Sequence, residues 1–166
     1  DIVISIININ DVAPVLTSSA TFSVTENQTA IGTVIATDEE GDTLTYSVSG
    51  TELAISSSGI LTFVTAPDYE SKSSYAATVT VNDGVNSTTQ DIVISITDVN
   101  EAPVFTSLAT FSVVENQTAI GTVTATDPDG DTLSYNISGS ELEINISTGV
   151  LSFKTAPDFE TKSLYT

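Results

Sequence analysis

Apolar and hydroxylated residues alternate along much of this chain. Ile92, Ile94 and Ile96 are separated by Val93 and Ser95, and Tyr75, Ala77, Val79 and Val81 by small or hydroxylated residues. Leu44, Tyr46 and Val48 follow the same rule. A period of two is the pattern of a strand with one face buried. Turn signals separate these runs: Glu40-Gly41-Asp42, Ser58-Gly59, Ala66-Pro67-Asp68 and Asn82-Asp83-Gly84. No stretch of useful length shows a helical period. The pattern predicts an all-β protein.

The same elements come twice. Ala20 to Ser49 (ATFSVTENQTAIGTVIATDEEGDTLTYSVS) returns at Ala109 to Ser138 as ATFSVVENQTAIGTVTATDPDGDTLSYNIS, an offset of 89 residues. Thr65 to Tyr75 returns at Thr155 to Tyr165 at an offset of 90, and DIVISI occurs both at Asp1 to Ile6 and at Asp91 to Ile96. Self-similarity at such a period marks a repeat array. It predicts a last strand and linker of a preceding repeat over 1–13, a complete repeat over 14–101 and a partial repeat over 102–166. About seven short strands per repeat suggest tandem Greek-key antiparallel sandwiches. On this frame the second repeat lacks the counterparts of the last two strands, and the chain reads as a window on a longer array.

Composition narrows the chemistry. The 166 residues contain no cysteine, histidine, methionine or tryptophan. Disulfides, thiol nucleophiles and the usual general base are thereby excluded, as are the commonest zinc and copper ligands. Asp and Glu number 22 against three lysines, for a net charge of -19. Such a surface repels nucleic acid and anionic lipid and favours cations. No apolar run approaches the roughly 20 residues of a membrane-spanning helix, so direct membrane insertion is not expected.

The carboxylates are grouped at strand ends and turns: Glu26; Asp38, Glu40 and Asp42; Asp68 and Glu70; Asp83; Asp98 and Glu101. Several hard oxygen ligands from different loops suit calcium better than zinc or copper. Asp42 and Asp131 serve equally well as turn residues, because short polar side chains bond the nearby backbone. Glu52, Glu141 and Glu143 match no motif and read as surface charges. Phe22, Tyr46, Phe63 and Tyr75 recur as Phe111, Tyr135, Phe153 and Tyr165, and are expected in the core. Five N-x-S/T sequons begin at Asn27, Asn86, Asn116, Asn136 and Asn145. They become glycosylation sites only in a host with that machinery.

In order along the chain, these groups resemble a cadherin repeat. Val24-Thr25-Glu26-Asn27 is similar to the family's strand-A glutamate motif. Ala36-Thr37-Asp38-Glu39-Glu40 and Ala125-Thr126-Asp127-Pro128-Asp129 resemble A-T-D-x-D, and Asp68-Tyr69-Glu70 resembles D-R-E. Val81-Asn82-Asp83-Gly84 resembles the late aspartate motif, and Asp98-Val99-Asn100-Glu101-Ala102-Pro103 the linker D-x-N-D-N-x-P. The resemblance implies calcium ions held where repeats meet. One junction would use Glu26, Asp68, Glu70, Asp98, Glu101, Asp127, Asp129 and the Asn100 carbonyl. An upstream junction would use Asn8, the Asn10 carbonyl, Asp11, Asp38, Glu40 and Asp83. Asn8 replaces an aspartate of the motif, and the 98–103 linker is one residue short. The late aspartate of the second repeat would fall beyond Thr166.

The resemblance implies a calcium-rigidified structural and adhesive module, not an enzyme. It would work on the cell surface or in a secreted protein, with calcium, other repeats of the same protein and neighbouring copies as partners. Near-identical repeats without disulfides are similar to those of long bacterial surface or secreted adhesins. The strand-exchange tryptophan of junctional cadherins is absent. Two alternatives stand beside this one. Asp38/Glu40 or Asp68/Glu70 could act as a carboxylate pair in a glycan-binding or glycan-active domain. Asp1 to Ile6 could instead donate a strand to a neighbouring copy's second repeat, building a filament, although the penultimate strand's counterpart is missing there too.

Overall fold

The computed structural model describes residues 2–7 and 9–166. It resolves into two compact units, Asp1–Val99 and Asn100–Thr166. The described residues contain strands and turns and no α-helix, so none is long and apolar enough to cross a membrane.

The first unit carries β1 (Val15–Leu16), β2 (Thr21–Thr25), β3 (Ala30–Thr33), β4 (Ala36–Thr37), β5 (Thr45–Val48), β6 (Leu53–Ile55), β7 (Ile60–Phe63), β8 (Ser74–Asn82) and β9 (Ser87–Thr97). A four-stranded sheet runs β2-β9-β8-β5, a three-stranded sheet runs β3-β7-β6, and β1 pairs with β4. The alternation seen in the sequence is the alternation of burial. Ile92, Ile94 and Ile96 of β9 and Val79 and Val81 of β8 point into a core completed by Val24, Val34, Leu53, Leu61 and Phe63. Each such side chain contributes roughly 1.5–3 kcal/mol when fully removed from water. Residues from both sheets meet in this one core, which makes the unit a sandwich.

One pairing departs from the all-antiparallel expectation: β2 lies parallel to β9, with Phe22 opposite Ile94 and Val24 opposite Ile96. Local alternation fixes which face of a strand is buried, not which partner it takes. Here the first long strand crosses over to the edge of the last one, so the two run in the same direction.

The second unit repeats part of this scheme. It carries β10 (Val104–Phe105), β11 (Ala119–Thr122), β12 (Ala125–Thr126), β13 (Leu142–Ile144) and β14 (Val150–Phe153). β10 pairs with β12, and β11-β14-β13 form a sheet like β3-β7-β6. The segments that match β2 and β5, residues 110–114 and 134–137, are not strands. In the first unit those two strands pair only with β9 and β8. Without such partners their backbone groups have no ladder to join. The consequence reaches the side chains: Val24 is 7% exposed, whereas its repeat-mate Val113 is 39% exposed. Phe111, expected in the core, is likewise 39% exposed for the same reason.

Two glycines set a turn that both units share. Gly59 has φ +80°, and a Cβ placed there would lie 2.2 Å from the Val34 carbonyl oxygen. Gly149 repeats this with φ +68° and 2.1 Å to the Val123 oxygen. Those carbonyl-bearing residues are held by the same turns, since the Val34 and Val123 N–H groups donate to the Gly59 and Gly149 oxygens. Gly59→Ala therefore forces both a left-handed alanine and a backbone shift, and is expected to cost more than the ~1–3 kcal/mol of strain alone. Gly41, at φ +78° with nothing within 4 Å of a Cβ, incurs only the conformational part. Urea midpoints of Gly59→Ala and Gly41→Ala check this; equal losses would contradict it.

Candidate metal centre

β2 ends by delivering Glu26 into the protein rather than into solvent. The Glu26 N–H continues the ladder to the Thr97 oxygen at 3.1 Å, and Asn27 then turns the chain at φ 61°. The Glu26 side chain is buried, at 2% exposure. Its Oε2 accepts from the Tyr69 N–H at 3.0 Å and its Oε1 from the Val99 N–H at 2.8 Å. One carboxylate thus fastens the Pro67–Glu70 turn and the chain leaving β9 to the end of β2.

Glu70 and Asp98 complete this end of the first unit. Ligand oxygens of Glu26, Glu70 and Asp98 lie within 4.8 Å of one another. The Glu70 backbone N–H bonds its own carboxylate and favours the charged form. Desolvation, the charge of Glu26, a side-chain hydrogen bond with Asp68 and the charge of Asp98 outweigh it and hold the carboxyl above its ordinary range. Asp68 is occupied locally. The Ser71 hydroxyl donates to its Oδ2 at 2.6 Å, and that bond leads the interactions that pull its carboxyl below the usual range.

A second cluster sits in the turn after β4. Asp38, Glu40 and Asp42 bring oxygens within 4.8 Å of one another. The Asp42 N–H donates to Asp38 Oδ1 at 3.0 Å, which folds the turn. Asp38 Oδ2 and Glu40 Oε2 are left buried with no hydrogen-bond partner. Burial first, then the charge of Asp38, push the Glu40 carboxyl up; the Val12 N–H opposes this, and Asp11 and Glu39 add to it. Anionic oxygens buried without a donor are costly unless a cation neutralises them.

Asp83 belongs to neither cluster. It is 6% exposed, and its Oδ1 accepts from the Val85 and Asn86 N–H groups at 2.7 and 2.6 Å. Burial alone would raise its carboxyl, but these bonds, with the Asn86 and Asn10 side chains, hold it low. Asn10 docks on this turn, donating from Nδ2 to the Asp83 carbonyl at 3.3 Å and accepting at Oδ1 from Asn86 at 3.1 Å. Asn8, expected among the upstream ligands, lies outside the described residues.

In the second unit, Glu101 and Asp129 come together: the Glu101 N–H donates to Asp129 Oδ2 at 2.8 Å. Glu101 is the repeat-mate of Val12, whose N–H bonds Glu40 in the same way. The Asp131 N–H donates to Asp127 Oδ1 at 3.2 Å, as Asp42 does to Asp38. Asn100 Nδ2 donates to the Glu101 carbonyl at 2.9 Å.

A third cluster was not anticipated. Glu115, Asp158 and Glu160 bring oxygens within 4.8 Å of one another. Glu115 Oε2 accepts from the Phe159 N–H at 3.0 Å, the counterpart of the Glu26–Tyr69 bond. Asp158 is held low first by the Thr161 hydroxyl, which donates to its Oδ2 at 2.8 Å. The repeat offsets that link Glu26, Asp68 and Glu70 to these residues carried the signal.

The donor set fits calcium: carboxylate oxygens from separate turns, no nitrogen or sulfur ligand, and two buried oxygens that lack a donor.

The bacterial Ig domain family matches residues 10–96 and 100–166. Chitinase A of Pseudoalteromonas piscicida is 41% identical over 128 residues, covering 75% of this chain and 16% of that protein. Cadherin EGF LAG seven-pass G-type receptor 1 of Mus musculus is 30% identical over 185 residues, 98% of this chain and 6% of the receptor. The chain thus spans under a fifth of either relative. Human Protocadherin-24 EC1-2 (crystal form II) superposes with a TM-score of 0.64 at 21% identity, covering 90% of this chain and 80% of that one. The fold is that of cadherin-like β-sandwich repeats.

Proposed function

Because the chain belongs to the bacterial Ig domain family and folds as a cadherin-like repeat, we propose that it is a calcium-stiffened adhesive or spacer module of a long extracellular surface or secreted protein. The observation that carries this reading is the pair of buried, donorless oxygens of Asp38 and Glu40 in a protein of net charge -19. Calcium would supply the missing positive charge and tie together loops that the backbone alone leaves separate. Asp38, Glu40 and Asp42 would hold one ion, with Asn8, Asn10, Asp11 and Asp83 supporting that end of the repeat. Glu26, Glu70 and Asp98 would hold another. Following the motif order, Asn100, Glu101, Asp127 and Asp129 would add ligands from the second repeat, and Asp68 would steady its turn. Fixing the linker in this way converts a flexible string of domains into a stiff one.

Glu70→Ala tests the assignment. Glu70 is exposed, so its loss should leave both units folded while removing a ligand from the Glu26/Glu70/Asp98 group. The variant is expected to bind calcium at least about 10-fold more weakly at that group, equivalent to ~1.4 kcal/mol. Small-angle scattering should show a broader range of shapes than the parent with calcium present. A variant that matches the parent in both measurements would make Glu70 a simple surface charge.

The similarity to Chitinase A favours a second reading, in which the repeat serves a larger glycan-active protein. The acidic pairs are accounted for by the calcium reading, so the repeat would contribute reach or glycan contact and no catalysis. Retention on chitin distinguishes this reading from a plain spacer, and turnover of a polysaccharide panel by the chain itself would contradict it.

A further inference from the structure

We infer that Lys72 is a positioning residue for the Glu26/Glu70/Asp98 group. Pinned between Glu52 and the Tyr75 ring, it holds in place the turn that carries Glu70. The inference rests on the calcium reading of that group. Its basis is a side-chain arrangement that no motif covers. Lys72 Nζ donates to both carboxylate oxygens of Glu52 at 2.7 Å and stands 4.1 Å from the centre of the Tyr75 ring. The second unit builds the same arrangement, with Lys162 paired to Glu141 and 4.5 Å from the centre of the Tyr165 ring. Two of the chain's three lysines are used in this way.

What the lysine joins explains its consequence. Between β7 and β8 the chain crosses from the three-stranded sheet to the four-stranded one. Glu52 is fastened to the first sheet: it immediately precedes β6, and its carbonyl accepts from the Val64 N–H at 2.9 Å. Tyr75 is fastened to the second, opposite Ile94 on β9 and edge-on to Phe63 at 4.9 Å. Lys72 itself closes the crossing turn, donating its N–H to the Asp68 carbonyl at 2.9 Å. Within that turn the Tyr69 N–H reaches Glu26 Oε2, and Glu70 brings its carboxylate to the group. The lysine therefore ties the turn to both sheets close to a ligand.

The ion pair is exposed, its side chains 45% and 56% accessible, so it adds little to global stability. Its effect is orientation. A turn left free must be ordered before it can ligate, and groups that orient ligands control metal affinity. Charge alone predicts the opposite sign. Lys72 is a cation in a chain of net charge -19, and removing it makes the chain more attractive to calcium.

The test is calorimetric titration of the whole chain with calcium. Lys72→Met keeps the stem against Tyr75 but loses the pairing with Glu52, and is expected to bind about 10-fold more weakly. Lys72→Arg still reaches both Glu52 oxygens and the ring, and should stay within about 3-fold of the parent. In Lys72→Met combined with Glu70→Ala, the losses should be less than additive. Hydrogen exchange in chelator gives a readout without metal: the Tyr69 amide should exchange about 10-fold faster in Lys72→Met, while the amides of β8 and β9 keep their rates. Binding by Lys72→Met as tight as the parent's or tighter would overturn the inference. So would an unchanged Tyr69 rate, or fully additive losses, which would place the effect away from Glu70. A parent chain that takes up no calcium would instead sink the calcium reading, and the Tyr69 rate alone would then decide whether Lys72 positions the turn.

Discussion

Calcium added to the chelated chain is expected to raise its melting temperature by on the order of 10 °C, with magnesium at the same concentration achieving far less. A ligand that binds only the folded state at 100 times its dissociation constant adds about 2.7 kcal/mol per independent site. For a domain of this size each kcal/mol is worth roughly 4–8 °C. The direction follows from the electrostatics. Glu40 and Glu70 both have carboxyls raised above their ordinary range, each with desolvation and neighbouring carboxylates among the causes. Their clusters are thus destabilising while charged and unneutralised. Magnesium demands near-ideal octahedral geometry and gives up water reluctantly, whereas calcium accepts the irregular oxygen set that separate turns provide. Identical melting curves in calcium and chelator would remove the metal from the picture.

Glu26→Ala should be the most damaging single carboxylate change. The side chain is 2% exposed, and its two oxygens take the N–H groups of Tyr69 and Val99. Removing it leaves two backbone donors without acceptors, at about 1–3 kcal/mol each. In chelator, relief of repulsion with Glu70 and Asp98 returns part of that loss. In calcium there is no such relief and a ligand disappears as well, so the deficit relative to the parent should widen. Denaturant unfolding of parent and variant in both conditions measures the difference. A Glu26→Ala chain as stable as the parent in both would show that the buried carboxylate fastens nothing.

The contrast between Glu26 and Asp68 shows what was legible in the sequence. Both were expected as ligands from the motifs that carry them. Only Glu26 belongs to a cluster of three in the first unit, while Asp68 accepts from Ser71 and meets that cluster through the Glu70 side chain. A motif places a carboxylate on a turn; the turn's internal hydrogen bonds decide where its oxygens point. The same holds for Asp83, which the Val85 and Asn86 N–H groups claim.

At the level of the fold, period-two alternation located the buried faces of β8 and β9, and the repeat offsets separated the two stretches of like sequence. Pairing partners were less visible. Nothing in Thr21–Thr25 announces a parallel neighbour 72 residues later, because that choice is made by the whole sandwich. Conversely, residues 110–114 keep the sequence pattern of a strand and yet form none, since a strand needs a partner as well as a pattern. The Glu115, Asp158 and Glu160 cluster was legible through the repeat alone and needed no further signal.

Equilibrium dialysis with radioactive calcium, on chain first stripped by chelator, bears most directly on calcium binding itself. At least two ions bound per chain are predicted, with magnesium in excess failing to displace them and Glu70→Ala reducing the high-affinity count. Calcium no more concentrated with the protein than in the opposite chamber, beyond the diffuse excess that any protein of the same net charge attracts, would contradict it.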